Sequence, residues 1–314
     1  FGECIEYAQG YTAGRPLYGN VDKIPQAVTD SLRKDAVSKA ANADLVIFIG
    51  GLNKNHNQDC EGGDRLTYSL PFGQNELIEE LTKVNPNIIA VIISGNAVQI
   101  PWIDKVPSIV QSWYLGSIGG DALADVLTGK VNPSGKLPFS YPVKLEDCPA
   151  HQFGPMSYPG DSIKEEYKED ILVGYRWYDT KKIKPLFPFG YGLSYTTFSY
   201  SKPQISSKTI NEQDSIQISL TVKNSGKVTG KEIVQLYIGD EKCSLLRPEK
   251  ELKKFCKIEL APGETKDISF YITAEDLKFF DDRQQKWIAE PGKFKAYIAA
   301  SSADIRGSVE FELL

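Results

Sequence analysis

The sequence predicts an α/β domain, built on a mostly parallel sheet with helices on both faces, followed by an antiparallel β-sandwich. Two observations carry this. The first half alternates helical apolar patterns with short, continuous apolar runs, as βαβ units do. The second half switches to period-two alternation between turn signals. The length of 314 residues suits about two domains.

In the first half, Leu32, Ala36, Val37, Ala40 and Ala41 recur at helical spacing over 31–41 and lead into the apolar strand Leu45–Ile49. A second helix is expected from Pro71, where a proline's missing N–H costs nothing. It carries Leu77, Ile78, Leu81 and Val84 on one face and stops before Asn85-Pro86. Ile88–Ile93 reads as a strand buried on both faces, as parallel strands are. A third strand is expected over 108–113, with a helix over 120–127 after it.

In the second half, Ile216, Ile218, Leu220 and Val222 alternate with polar residues, as do Val234, Leu236, Ile238 and later Phe294, Ala296, Ile298. Turns are signalled at Asn224-Ser225-Gly226, Ala261-Pro262-Gly263 and Glu290-Pro291-Gly292. Between the halves, residues 143–195 are rich in proline, glycine and tyrosine and keep no period. Long aperiodic stretches are commonly functional or disordered. The aromatic density of Tyr167 to Tyr195 argues for an ordered connection packed on both domains. The expected organisation is therefore an α/β domain over 1–142, an interdomain connection over 143–198 and a β-sandwich over 199–314.

Composition excludes several classes. A net charge of −5 lacks the basic footprint that nucleic acid demands. No apolar run is long enough to span a bilayer. Five cysteines are too few and too scattered for a disulfide framework. Two histidines, His56 and His151, without CxxC or HExxH spacing, give no metal site, and no cofactor is expected.

Chemistry concentrates in Gln58-Asp59-Cys60-Glu61-Gly62-Gly63-Asp64-Arg65, a loop between an apolar strand and a helix. It falls at the carboxyl end of a strand, the edge at which open α/β sheets bind ligands. Glu61 stands before two glycines, which free the backbone and let a bulky ligand approach, so it is the catalytic candidate. On composition alone, a solvated acidic loop tied by an Asp64–Arg65 salt bridge is the commoner arrangement.

The neighbouring motifs change that balance. Gly51-Leu52-Asn53 leads to Glu61-Gly62-Gly63-Asp64-Arg65, Leu70-Pro71 and Gln74. Gly119-Gly120-Asp121-Ala122-Leu123-Ala124-Asp125-Val126-Leu127 and Asn132-Pro133-Ser134-Gly135-Lys136-Leu137-Pro138 follow. Val173-Gly174-Tyr175-Arg176-Trp177-Tyr178 and Phe187-Pro188-Phe189-Gly190-Tyr191-Gly192-Leu193-Ser194-Tyr195 come last. Together, in this order, they make the chain from Gly51 to near Leu314 resemble the C-terminal part of the family-three glycoside hydrolases: an α/β sandwich domain and a fibronectin-type-III-like domain. Such enzymes begin with a TIM-like barrel, which needs about 250 residues. The resemblance therefore implies a fragment without that barrel and without the start of the α/β domain.

The resemblance further implies a retaining exo-β-glycosidase, with β-glucosidase the first expectation and β-xylosidase the second. Its substrate would be an oligosaccharide or aryl β-glycoside. Retaining enzymes set two carboxyls about 5–5.5 Å apart across the scissile bond. Glu61 would be the general acid/base, the nucleophile would lie in the barrel, and the fragment alone would be inactive. Asp59 is the runner-up, because in an extended run its side chain would point the same way as that of Glu61. The family pattern puts the acid directly before the glycine, as Glu61 is. Asp64 and Arg65 are expected to shape the loop, and Lys54 and His56 either line the mouth of the site or are plain surface residues. A surface that a barrel would cover predicts self-association, a homodimer included, and the family implies a secreted or periplasmic location. The other function class is a non-enzymatic carbohydrate-recognition or cell-surface module. Of the aromatics, Trp113 is expected in the core, Trp177 in interdomain packing and Trp287 inside the sandwich.

Overall fold

The computed structural model describes residues 4–13, 24–53, 57–59 and 65–314, which form two compact units, Phe1–Ala124 and Asp125–Leu314. In the first, helix α1 (Gln26–Ala40) leads to strand β1 (Val46–Gly51), helix α2 (Gln74–Val84), β2 (Ile88–Ile93) and β3 (Ser108–Gln111), and helix α3 (Gly119–Leu127) spans the boundary at Ala124. The three strands form one parallel sheet in the order β1-β2-β3, with Ile47 beside Ile89 and Val91 beside Val110.

Helix α2 starts at Gln74, later than the sequence suggests, because Phe72 and Gly73 carry φ of 61° and 69°. A left-handed backbone cannot continue into a right-handed helix. Its buried face is Gln74, Leu77, Ile78 and Leu81. At the other end Asn85, buried, ties the elements together. Its side-chain amide donates to the carbonyls of Ala40 and Ala43 at the end of α1, and its Oδ1 accepts from Asn87 N–H just before β2. Strand β3 ends at Gln111, before Trp113 with φ 58°. Trp113 is only half-buried; the tryptophan that fills this unit's core is Trp102, fully buried with its indole N–H on Asn75 Oδ1 at 2.9 Å. On the sheet, Phe48, Ala90 and Ile92 are buried, whereas Ile47 and Ile49 of the alternate face are 45% and 50% exposed.

The second unit carries helix α4 (Tyr175–Lys181) and then short strands β4 (Phe198–Tyr200), β5 (Gln204–Ile205) and β6 (Thr209–Ile210). The long strands follow: β7 (Ser215–Asn224), β8 (Gly230–Asp240), β9 (Glu251–Leu260) and β10 (Thr265–Thr273). After them come β11 (Phe279–Asp281), β12 (Lys286–Ile288), β13 (Gly292–Ala299) and β14 (Ile305–Leu313). One sheet runs β10-β7-β4 with β5 also on β7; the other runs β6-β14-β13-β8-β9. The period-two residues read from the sequence meet between them: Ile216, Ile218, Leu220 and Val222 pack with Val234, Leu236, Ile238, Phe294, Ala296 and Ile298. This is a two-sheet sandwich core.

The outer face of β8 is covered by the preceding segment of the same unit. Tyr175 stacks on Phe189 at 4.8 Å and meets the Tyr237 ring edge-on at 5.7 Å. Gln235, on the same outer face, donates to the carbonyls of Gly190 and Ala300 and accepts from the Tyr237 hydroxyl. Trp177 is buried with Leu172, Tyr178 and Ile183 and meets Phe153 edge-on, so its packing partners lie within this unit. Trp287 departs from expectation. It sits on the β11–β12 hairpin, 65% exposed, against Phe280.

That hairpin turns on Asp281, fully buried, whose oxygens accept from Arg283 Nε and Nη2 and from Gln284 Nε2. The Arg283 side chain foremost, with Gln284 in support, holds the carboxyl well below the ordinary carboxylate range. A depressed folded pKa gives stability that is present above the unfolded value near about 4 and lost as pH falls through the folded one. Asp281→Asn should therefore lower the thermal midpoint most above about pH 5, and the gap from the parent should shrink on acidification below about pH 4. Scanning calorimetry across that range is the measurement, and a gap independent of pH would contradict the role given to Asp281.

Candidate active site

The site is built where β1 and β2 run out. Gly51 ends β1 with φ 137°, a conformation that favours glycine, and a Cβ there would lie 1.9 Å from the Ile93 carbonyl oxygen. Its backbone is held by one side chain. Gln74, fully buried at the start of α2, accepts the Gly51 N–H on Oε1 at 2.7 Å and donates Nε2 to the Gly51 carbonyl at 2.8 Å and the Pro71 carbonyl at 3.0 Å. The next residue, Leu52, donates its N–H to Ile93 at 2.7 Å. The loop thus leaves the sheet from a fixed origin.

It is fixed again at Asp59. The Asp59 N–H reaches back to the Asn53 carbonyl at 3.1 Å, closing the loop on itself. The carboxylate turns toward the turn after β2: Oδ2 accepts the Gly95 N–H at 2.6 Å and the Tyr114 hydroxyl at 2.9 Å. Burial foremost, then the hydrogen bond to Asp59, raises the Tyr114 phenol well above its ordinary pKa, while Arg65 pulls the other way. In this hydrogen bond the phenol is the donor and the carboxylate the acceptor.

Arg65 fixes the exit. Its Nη2 donates to Asn96 Oδ1 at 2.5 Å and to the Ala97 carbonyl at 2.8 Å. The receiving turn is itself braced, since Gln111 Nε2 donates to the carbonyl and hydroxyl oxygens of Ser94 at 3.1 and 3.0 Å, and the Ser94 hydroxyl donates to the Asn96 carbonyl.

Of the residues singled out from sequence, Asp59 and Arg65 converge on the 94–97 turn. Lys54, His56, Glu61 and Asp64 lie outside the described residues, and so does the Asp64 half of the expected ion pair. Sequence reasoning quoted Gln74 only within a motif, did not pair Tyr114 with Asp59, and missed Gly95 and Asn96 as parts of this site. Ser94-Gly95-Asn96, directly after an apolar parallel strand, is the one signal that could have marked the turn.

A parallel α/β sheet with its polar loops at the carboxyl edge, followed by a fibronectin-like sandwich, defines the class. Residues 6–195 match the glycosyl hydrolase family 3 C-terminal domain and residues 232–302 the fibronectin type III-like domain. The chain belongs to glycosyl hydrolase family 3. It is 72% identical over all 314 residues to the beta-glucosidase BoGH3A of Bacteroides ovatus, covering 42% of that protein. Among solved structures it superposes on the Kluyveromyces marxianus beta-glucosidase with a TM-score of 0.84 at 38% identity, over 94% of this chain and 35% of that one. It fits DesR, a beta-glucosidase from Streptomyces venezuelae solved with D-glucose, with a TM-score of 0.84 at 37% identity, over 92% and 36% of the two chains. The chain spans less than half the length of these relatives.

The Gln74 contacts yield a stability prediction. Gln74→Leu keeps a side chain of similar bulk but leaves the Gly51 N–H and carbonyl buried without partners, at about 1–3 kcal/mol for each group. Urea denaturation should show that loss with an unchanged slope, and a loss below about 0.5 kcal/mol, the range of ordinary surface substitutions, would mean Gly51 finds other partners.

Proposed function

We propose that this chain supplies the general acid/base of a retaining exo-β-glucosidase, with Glu61 in that role. The observation that carries the reading is the commitment of the competing carboxylate. Asp59 Oδ2 is engaged by two donors and turned toward the sheet edge. Glu61, two residues on and ahead of two glycines, is the other candidate and is assigned the role. The high identity to a beta-glucosidase supports the reaction class.

In the proposed cycle, Glu61 protonates the glycosidic oxygen as a carboxylate outside this chain attacks the anomeric carbon. It then takes a proton from the water that hydrolyses the glycosyl intermediate. A general acid/base of this kind contributes about 10²–10⁴-fold. Lys54 and His56, on the same loop, are assigned to the mouth of the site. Asp64 and Arg65 are assigned to loop shape, and the Arg65 contacts with Asn96 and Ala97 support this. The proposed location is secreted or periplasmic, where oligosaccharides are released from polymers; no helix among the described residues is long and apolar enough to cross a membrane.

The test joins this chain to the N-terminal portion of BoGH3A, replacing that enzyme's own C-terminal part. The hybrid should hydrolyse aryl β-glucosides in preference to β-xylosides, and the chain alone should not turn either over. Glu61→Gln should lose turnover of a natural β-disaccharide by about 10²–10⁴-fold and retain attack on substrates with good leaving groups. Azide, which needs no base, should then restore turnover and yield a β-glycosyl azide. Parent-like behaviour of Glu61→Gln, with azide rescue in Asp59→Asn instead, would move the acid/base role to Asp59.

A further inference from the structure

Resting on the reading of Glu61 as acid/base, the geometry points to Asp59, Gly95 and Tyr114 as a clamp that positions the catalytic loop, with Arg65 on Asn96 as its second jaw. Both jaws close on a single turn, 94–97. The first grips just before Glu61, where one carboxylate oxygen takes a backbone N–H at 2.6 Å and a phenol O–H at 2.9 Å. The second grips just after it, where Arg65 reaches the Asn96 side chain at 2.5 Å and the Ala97 carbonyl at 2.8 Å. Residues 59 and 65, which flank Glu61 in the sequence, are thus both tied to one turn.

Acid catalysis requires Glu61 to be placed well. A general acid must stand within hydrogen-bond reach of the departing oxygen, and a misplacement of about 1 Å is enough to cost about 10²-fold. A glycine-rich span has little conformational preference of its own. Placement of Glu61 therefore comes from its two flanks. The first flank is closely fitted: a Cβ on Gly95 would stand 2.6 Å from Asp59 Oδ2 and 3.3 Å from Tyr114 Cε2. Any side chain at 95 wedges the clamp open. Tyr114 comes from the segment after β3, 55 residues away, so the phenol links the loop to the end of a second strand.

These are positioning residues, and they differ from a catalytic one in a measurable way. Loosening the clamp leaves the Glu61 carboxylate in place but aims it badly. Glycosylation, read as kcat/KM, slows for substrates that need protonation and is spared for those with good leaving groups, whereas deglycosylation, which needs the base, slows for both. The remaining carboxylate still excludes azide from the anomeric carbon, so no glycosyl azide forms.

Tyr114→Phe, Gly95→Ala, Asp59→Asn and the Tyr114→Phe/Asp59→Asn pair test this in the hybrid enzyme, with Glu61→Gln as reference. Tyr114→Phe should cut kcat/KM for a β-disaccharide about ten-fold more than kcat/KM for a dinitrophenyl β-glucoside, within the range that misalignment allows. The pair should lose less than the product of its single losses, because both substitutions open one clamp. In the unfused chain, hydrogen exchange should accelerate over 57–65 and 94–97 in Tyr114→Phe and Gly95→Ala, a readout independent of activity. Equal losses of kcat/KM on both leaving groups, multiplicative losses in the pair, or unchanged exchange would each overturn the clamp. Absence of azide rescue in Glu61→Gln would instead sink the acid/base reading, with the exchange data still deciding whether the clamp exists.

Discussion

The sheet edge that carries the candidate site depends on how β1 is allowed to end. A parallel strand that stops inside a folded domain leaves its last N–H and carbonyl with no ladder partner, and an unpaired buried backbone group is costly. Gln74 resolves this with one amide, which matches the donor and acceptor of Gly51 together. The match requires a left-handed glycine at 51, zero exposure of the glutamine, and a helix that begins at residue 74 rather than at Pro71. The late helix start, the glycine and the direction in which the loop departs are consequences of the same contact.

The second unit solves a similar problem with the same chemistry. Gln235 on the outer face of β8 is nearly fully buried, and its amide serves the carbonyls of Gly190 and Ala300 while accepting from Tyr237. Around it, Lys250 and Asp179 form a buried pair at 2.8 Å, and Lys136 pairs with Glu232 at 3.0 Å. Buried ion pairs contribute little net stability, because desolvation offsets the attraction. Their effect is to fix register. A segment with neither helical nor strand period is held against the sandwich by partners that tolerate only one alignment. This is why the aperiodic, aromatic-rich stretch before the sandwich is ordered at all.

What was legible in the sequence was what repeats. The alternation in β7, β8 and β13 named the sandwich core residue by residue, because a period of two leaves no choice of face once one face is buried. The apolar runs Ile47–Ile49 and Ile88–Ile93 likewise read as strands, although Ile47 and Ile49 keep about half their surface in solvent. Helix α2 was visible from Leu77, Ile78 and Leu81, but its start was not, since the left-handed Phe72 carries no sequence mark. Trp287 misled because burial of an aromatic is a tendency of the residue type, whereas its place on a short hairpin is set by Asp281. The site showed the same divide. Asp59 and Arg65 stood out as charges, but their partners are a glycine N–H, an asparagine and a tyrosine 31 to 55 residues away. Polar pairing at that separation leaves no periodicity to read.

The loop and the sheet beneath it are stabilised by different forces. The sheet is ordered by apolar burial, with Ala90, Val91 and Ile92 fully enclosed. The loop flank has little of this: Leu66 is 83% exposed, and Asp59 and Arg65 are only partly buried. Its order comes from a handful of hydrogen bonds, each with a net contribution of about 0.5–1.5 kcal/mol, or about 1.5–3 where a charge is involved. A segment held this way opens at a lower free energy than the core it stands on. The flanks of the loop are thus aligned by directional polar contacts on a scaffold whose apolar core does not share their fragility.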